Sequence, residues 1–232
     1  MPRKRHKISP RELANWEPRT LPFEGEWERF MGKPEDHGTW IVWGQSYNGK
    51  TRFVLKLSKY LAELGMKVAY VSLEEGLSAS LQRAMAEGCM EGVNQKFAVW
   101  VDMDLEDIRR ELAKQRSPKV VVIDSLQYLG ITYPSYKALK SDFPTKLFVF
   151  VSHASRKGGP KGATAEAVRF DAMVKIQVSQ FRAKANSRYG GGEVLTIWDE
   201  GAKRCPVGAE LTTENIDDDG NQDDETRVRS GQ

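Results

Sequence analysis

The stretch Gly44-Gln45-Ser46-Tyr47-Asn48-Gly49-Lys50-Thr51 stands between an apolar run, TWIVW over residues 39–43, and a helical pattern over residues 50–64. Its spacing is G-x-x-x-x-G-K-[ST], and each fixed position has a physical task. Backbone N–H groups of such a loop wrap a phosphate, and glycine permits the dihedrals and the close approach this needs. The positive end of the following helix adds to the attraction. Lys50 has the reach to meet the outer phosphates, and the Thr51 hydroxyl is an oxygen donor for Mg²⁺. Gly44, Gln45, Ser46, Tyr47, Asn48, Gly49, Lys50 and Thr51 are therefore candidate contacts of a nucleoside triphosphate. The competing reading is a turn that holds glycine and lysine by accident; a strand before and a helix after speak against it.

Outward from this loop, Val54, Leu57, Leu61 and Leu64 repeat at helical spacing, and Gly65 sits at the expected stop. KVAYVSL (67–73) reads as a second strand, residues 78–90 as a helical stretch, and 97–101 as a third strand. A helix is expected over 105–116, with Leu105, Ile108 and Leu112 on one face. Two further apolar runs follow, 120–123 stopped by Asp124 and 147–151 stopped by Ser152 and His153. These strands are apolar throughout instead of at every second residue, which predicts a mostly parallel sheet covered on both faces. Residues 173–178 and 194–198 look like strands with little helix between them, hence antiparallel additions. The expected fold class is α/β, a single P-loop NTPase domain with helices flanking the sheet and antiparallel strands near the C-terminus.

A phosphate loop needs a carboxylate at the end of a neighbouring strand to hold Mg²⁺, and Asp124 occupies that position. Hydrolysis also needs a base, or a group that orients water. Glu74 and Glu75 follow the second strand at the carboxyl edge, where α/β sheets bind ligands. Glu74 is the candidate and Glu75 the second choice; a solvated helix cap is the bland reading of both. His153 is either a sensor of the outer phosphate or a polar strand end.

The 232 residues are 40% hydrophobic and 29% charged, with a mean hydropathy of −0.54. No apolar run approaches the ~18 residues a membrane span needs, and the basic N-terminus lacks an apolar core for a leader. A cytoplasmic protein with no membrane partner is expected. Cys89 and Cys205 are far apart and form no CxxC pair, which argues against a zinc site or a disulfide framework. The net charge of +3 is uneven: residues 1–7 carry +4 and residues 214–232 carry −5, leaving +4 on the body. Such ends read as solvated tails, or as a basic arm and an acidic tail competing for one surface. The expected division is a tail and lead-in over 1–20, one domain over 21–212, and an acidic disordered tail over 213–232.

In this order the segments resemble the RecA superfamily of ATPases, most closely the branch of RadA-type recombination proteins, DnaB-type replicative helicases and KaiC-like ATPases. YVSLEEG (70–76) resembles the strand that presents the catalytic glutamate there, and it aligns Glu74 with that residue. DLEDIRRELAKQRSPKVVVIDSLQYL (104–129) resembles the helix and Walker B block of RadA and DnaB proteins. VFVSHASRKGGPKG (149–162) resembles RadA's strand end with its glycine-rich loop. KANSRYGGG (184–192) resembles the K-N-R-F-G motif of RadA and the K-Q-R-N-G of DnaB. The resemblance runs roughly from residue 38 to residue 199. Nothing in the sequence resembles RadA's zinc finger or protease-like domain, or the helicase's N-terminal domain. Asn186 stands where the finger motif has lysine, and Lys184 lies nearby, so Arg188 carries the finger assignment alone.

The resemblance implies a RecA-like domain that hydrolyses ATP with Mg²⁺ and assembles with copies of itself, as a ring or filament with shared ATP sites. It implies that Arg188 reaches a neighbour's outer phosphate. It also implies that residues 128–136 and 155–162 line a channel for single-stranded DNA. The second loop is basic and reads as flexible, with Arg156, Lys157 and Lys161 among glycines; the tyrosines of the first read as packed underneath. A DNA-dependent ATPase of recombination, replication or repair is the favoured expectation. The alternatives are a KaiC-like ATP-driven switch that binds no nucleic acid and, less favoured, a small-molecule kinase, which would exclude the water a poised glutamate activates.

Overall fold

The structure, a computed structural model, describes residues 7–205. The basic arm up to residue 6 and the acidic tail lie outside these residues. The first described helix, α1 (Pro10–Ala14), carries a capping box of Ser9 and Glu12 and buries none of its residues. The second, α2 (Gly25–Met31), belongs to the core: Trp27, Phe30 and Met31 are buried with Leu21 and Phe23. Trp27 stacks on Tyr60 with ring centroids 5.1 Å apart. The sequence reading assigned no helix to this stretch, although Trp27, Phe30 and Met31 keep helical spacing. Gly25 at its first position, with Gly32 and Pro34 just beyond its end, weakens the helical signal.

The chain continues through β1 (Gly38–Gly44), α3 (Lys50–Glu63), β2 (Val68–Ser72), α4 (Ala79–Glu87), β3 (Phe97–Val101), α5 (Leu105–Ala113) and β4 (Val120–Asp124). Two helices follow, α6 (Leu126–Leu129) and α7 (Tyr133–Asp142), then β5 (Leu147–His153), α8 (Ala163–Asp171), β6 (Val174–Ser179), β7 (Arg182–Ser187), β8 (Val194–Thr196) and α9 (Asp199–Arg204). The eight strands of the described residues form one sheet in the order β3-β2-β4-β5-β1-β6-β7-β8. Strands β1 to β6 are parallel, as the unbroken apolar runs predicted for the body of the sheet; β6, expected as an antiparallel addition, pairs parallel with β1, and β7 and β8 add antiparallel at one edge.

Strand parity divides the core in two. Trp40, Val42, Tyr70, Val120 and Val122 face α2, α3 and α4, packing on Phe53, Leu57 and Leu61. Ile41, Trp43, Val71, Val121 and Ile123 face the other way, onto Ile108 and Leu112 of α5, Leu139 of α7 and Val168 of α8. Because the strands are parallel and in register, their carboxyl ends lie side by side: Gly44 is level with His153, and Ser72 with Asp124.

Several boundaries differ from those expected. Helix α5 stops at Ala113, short of residue 116, and Arg116 has φ of 63°. Ser78 caps α4 instead of joining it, and a separate 3-10 turn covers Met90–Val93. Strand β7 was not expected at all. Its sequence RAKANS offers only Ala183 and Ala185 to the core, too little apolar signal to read as a strand. Among the described residues no helix is long and apolar enough to cross a membrane.

Candidate functional site

The loop after β1 closes over the first turn of α3 as the glycines foretold, and its shape is fixed from outside. Gly49 holds φ of 97°, and a Cβ there would come within 2.9 Å of the Phe181 ring. At Gly44 a Cβ would sit 2.2 Å from the Val178 carbonyl oxygen. The β6–β7 turn therefore presses against the loop and also binds it: the Gln180 N–H donates to Asn48 Oδ1 at 2.7 Å, and the Phe181 N–H to the Asn48 carbonyl at 3.1 Å. Lys50 Nζ donates to the Gln45 carbonyl at 3.0 Å, folding the lysine over its own loop. Tyr47, at the tip, is exposed.

Asp124 closes β4 beneath this loop, 8% exposed, and accepts the Tyr70 hydroxyl at 2.5 Å. Burial, helped by the charges of Glu74 and Glu75, pushes its carboxyl up to about 6, against the Tyr70 hydrogen bond and the Lys50 charge that pull it down. Lys50 is lowered by the same burial, with Asp124 and Glu74 opposing the shift. Tyr70 is raised well above an ordinary tyrosine, by burial and then by Asp124.

The two glutamates separate by their partners. Glu74 Oε2 lies 3.1 Å from His153 Nε2 and accepts the Ser125 hydroxyl at 3.3 Å, so it points along the strand ends. Glu75 accepts from Ser78 at 3.2 Å and from Ser80, which makes it an acceptor for the hydroxyls that open α4. Lys50, Thr51, Asp124, Glu74, Glu75 and His153 all line one cleft of about 560 Å³.

At its other end the cleft is aromatic and charged. The Arg52 guanidinium lies 4.8 Å from the Trp198 ring centroid and pairs with Glu87, while Phe181 meets Trp198 edge-on at 5.1 Å. Sequence reasoning named neither Tyr70 nor this aromatic end. The residues come from elements far apart in the chain, and no local spacing links them.

The chemistry of the donors suits ATP with Mg²⁺. Thr51 and Asp124 offer only oxygen, the donor of hard cations. Three acids, Asp124, Glu74 and Glu75, share the cleft with the half-desolvated Lys50, so added cationic charge beside Asp124 relieves their mutual repulsion. The Lys50 ammonium, held by a loop carbonyl, is free to exchange that partner for phosphate oxygens.

Arg188 is not in this cleft. Strand β7 runs antiparallel to β6, with Ser187 opposite Val174, so Arg188 emerges at the opposite edge of the sheet, about 20 Å along the strand direction from Arg182. Its backbone N–H donates to the Met173 carbonyl at 3.3 Å.

Arg156, Lys157 and Lys161 are exposed in the loop after β5, at the same edge as the cleft. The loop is not the loose segment its glycines suggested. Ala154 and Pro160 form a bridge, the Ser155 N–H donates to the Gly159 carbonyl at 2.7 Å, and the Trp43 indole donates to the Gly158 carbonyl at 2.9 Å. Residues 128–136, expected as a loop, lie mostly within α6 and α7. Tyr136 is buried and bonds Thr39 and Asp171, while Tyr128 is exposed.

No protein-family model matches the chain. Over 104 residues it is 29% identical to the DNA repair protein RadA of Chlamydia muridarum, a match covering 44% of this chain and 22% of the relative. RadA of Chlamydia trachomatis matches with the same identity and coverage. The chain thus spans about a fifth of the length of these relatives. In architecture it is similar to the flagellar accessory protein FlaH from Methanocaldococcus jannaschii, with a TM-score of 0.53 and 14% identity over 76% of this chain and 92% of that one.

Asp124→Asn keeps the side chain's shape and an acceptor for Tyr70 but removes the charge. The folded carboxyl titrates near 6, above its ordinary 3.8. Between those values the folded state holds the extra proton, so this group's contribution to stability falls as pH rises from about 4 to about 6 and is level above that. At pH 7.5 the nucleotide-free variant should therefore be more stable than wild type, by up to about 3 kcal/mol, with the gap closing below pH 4. Thermal melts across pH 4–8 measure this; a wild type as stable as the variant at pH 7.5 contradicts it.

Proposed function

On the premise that this chain is a P-loop protein of the RecA superfamily, we propose that it binds and hydrolyses ATP in the cleft at the carboxyl edge, as a DNA-dependent motor or recombinase-type protein. The observation that carries the reading is the meeting of Lys50, Thr51, Asp124 and the Glu74–His153 pair in one cleft, with a basic loop beside it at the same edge.

In this reading the backbone N–H groups of residues 44–51 and the Lys50 ammonium hold the phosphates. Thr51 and Asp124 would hold Mg²⁺, which supplies charge neutralisation of the phosphates when bound. Glu74 orients the attacking water and takes its proton, because its carboxylate faces along the strand ends while Glu75 is committed to the serines of α4. His153 holds Glu74 in line and meets the outer phosphate. The new bond forms between water oxygen and the γ-phosphorus, and the bond to the β–γ bridging oxygen breaks, releasing ADP.

Two features extend the reading beyond one subunit. Arg188 leaves the sheet at the edge opposite its own cleft, a position from which it can serve only another copy's site. Arg156, Lys157 and Lys161 offer exposed cations to a phosphate backbone, and the sequence relatives are named as DNA repair proteins. The fold alone does not select DNA, since it also occurs in a flagellar accessory protein.

Single-stranded DNA should raise the ATPase rate, and its affinity should fall with salt by roughly 0.7 log units per phosphate contact per log unit of salt. Changing Arg156, Lys157 and Lys161 together to alanine should lower that slope by about two and weaken binding to all sequences alike. Fluorescence anisotropy across a salt series reads both. Wild-type protein with no salt-dependent binding would remove DNA from the account and leave the regulatory-switch reading. Arg188→Ala should keep ATP affinity while turnover falls by roughly a thousandfold, as for a trans-acting finger. Mixing this variant with Lys50→Ala subunits should restore some turnover; strict additivity of the two inactive proteins would sink the shared site.

A further inference from the structure

On the reading that the cleft binds a nucleoside triphosphate, we propose that Gln127 is a positioning residue that couples the phosphate site to the basic loop over residues 154–162. Gln127 lies in α6, directly after the Asp124 strand end, and its side-chain amide bonds in three directions. The His153 N–H donates to Oε1 at 3.3 Å. Nε2 donates to the Ser152 hydroxyl at 2.9 Å and to the Lys161 carbonyl at 2.8 Å. The backbone partners fix the amide's orientation: an N–H can only donate and a carbonyl can only accept, so Oε1 must face His153 and Nε2 must face Lys161.

These bonds close a ring. The Ser152 hydroxyl donates to the His153 carbonyl at 2.9 Å, and the Lys161 N–H donates to that same carbonyl at 2.8 Å. Ser152 is fully buried, so its part of the ring is shielded from water and its bonds are strengthened. One member, His153, reaches Glu74 with Nε2 at 3.1 Å. Another, Lys161, is a cation of the basic loop. A displacement of His153 when an outer phosphate and its water arrive beside Glu74 therefore reaches Lys161 by two routes. One is the direct bond between the Lys161 N–H and the His153 carbonyl; the other is the bridge through Gln127, which ties the two movements together.

The loop's other ties hold it to β1 and the phosphate cradle: Trp43 to the Gly158 carbonyl, and Gln45 Nε2 to the Ser155 carbonyl at 3.3 Å. Residues 155–158 are thereby anchored to the cradle, while the Lys161 end follows the ring.

Hydrogen–deuterium exchange of the whole chain, with and without Mg²⁺ and a non-hydrolysable ATP analogue, tests this on peptides covering 154–162. Nucleotide binding is measured by calorimetry on the same samples. In wild type the analogue should change exchange in this segment. In Gln127→Ala and in Gln127→Glu, which keeps the shape and the His153 acceptor but lacks both donors, that change should be reduced at least severalfold while the analogue still binds, the direct bond between Lys161 and His153 carrying the remainder. If Gln127→Ala fails to fold, the isosteric Gln127→Glu decides alone. A wild-type loop that ignores bound analogue overturns the coupling and leaves the phosphate reading intact. Variants that respond like wild type reduce Gln127 to a structural link, and a wild type that binds no analogue overturns both readings.

Discussion

Tyr70 donates its hydroxyl to Asp124 at 2.5 Å where β2 and β4 end beneath α3, and the rest of the site is arranged around that buried carboxylate. A charge held at the edge of an apolar sheet is costly unless it is hydrogen-bonded and faced by opposite charge. The fold supplies both. Tyr70 and Asp124 share the strand parity of Val120 and Val122, the face that α3 covers, so the first turn of α3 brings Lys50 and Thr51 over the acid. Had Asp124 fallen one residue earlier or later, it would face α5 and α7, away from the loop.

Register extends this single placement into a site. Parallel strands keep their carboxyl ends level, which sets Gly44 beside His153 and Ser72 beside Asp124. Glu74, two residues past β2, is then within 3.1 Å of a histidine from β5 without any loop having to reach. The antiparallel edge has a different task. Its β6–β7 turn packs Phe181 on Gly49 and binds Asn48, holding the phosphate loop in shape while Lys50 turns inward on the Gln45 carbonyl. Preorganised donors of this kind cost little rearrangement when a ligand arrives.

Much of this was legible because parallel strands announce themselves as unbroken apolar runs, and because an apolar run stopped by Asp or His marks the ligand edge. Val120–Asp124 and Leu147–His153 are of that kind. Strand β7 was hidden, since alanine carries too little apolar signal for a period to show. Helix α2 was hidden by the glycines and proline that bound it, although its aromatics pack as tightly as any in the core. Composition also misled: three glycines over residues 155–162 suggested mobility, but they admit a tight turn whose bonds run to Trp43 and Gln127. The partnership of Tyr70 with Asp124 joins residues 54 positions apart, a pairing that no local pattern encodes.

The proposed role of Glu74, activating water beside a nucleotide held by Lys50, is open to a direct test. Binding of a fluorescent ATP analogue and steady-state phosphate release should be measured for wild type, Lys50→Ala and Glu74→Gln. Lys50→Ala should fail to bind. Glu74→Gln should bind like wild type yet release phosphate at least about a hundredfold more slowly, the usual scale for losing a general base. Equal turnover in Glu74→Gln and wild type would contradict the account and shift the role to Glu75.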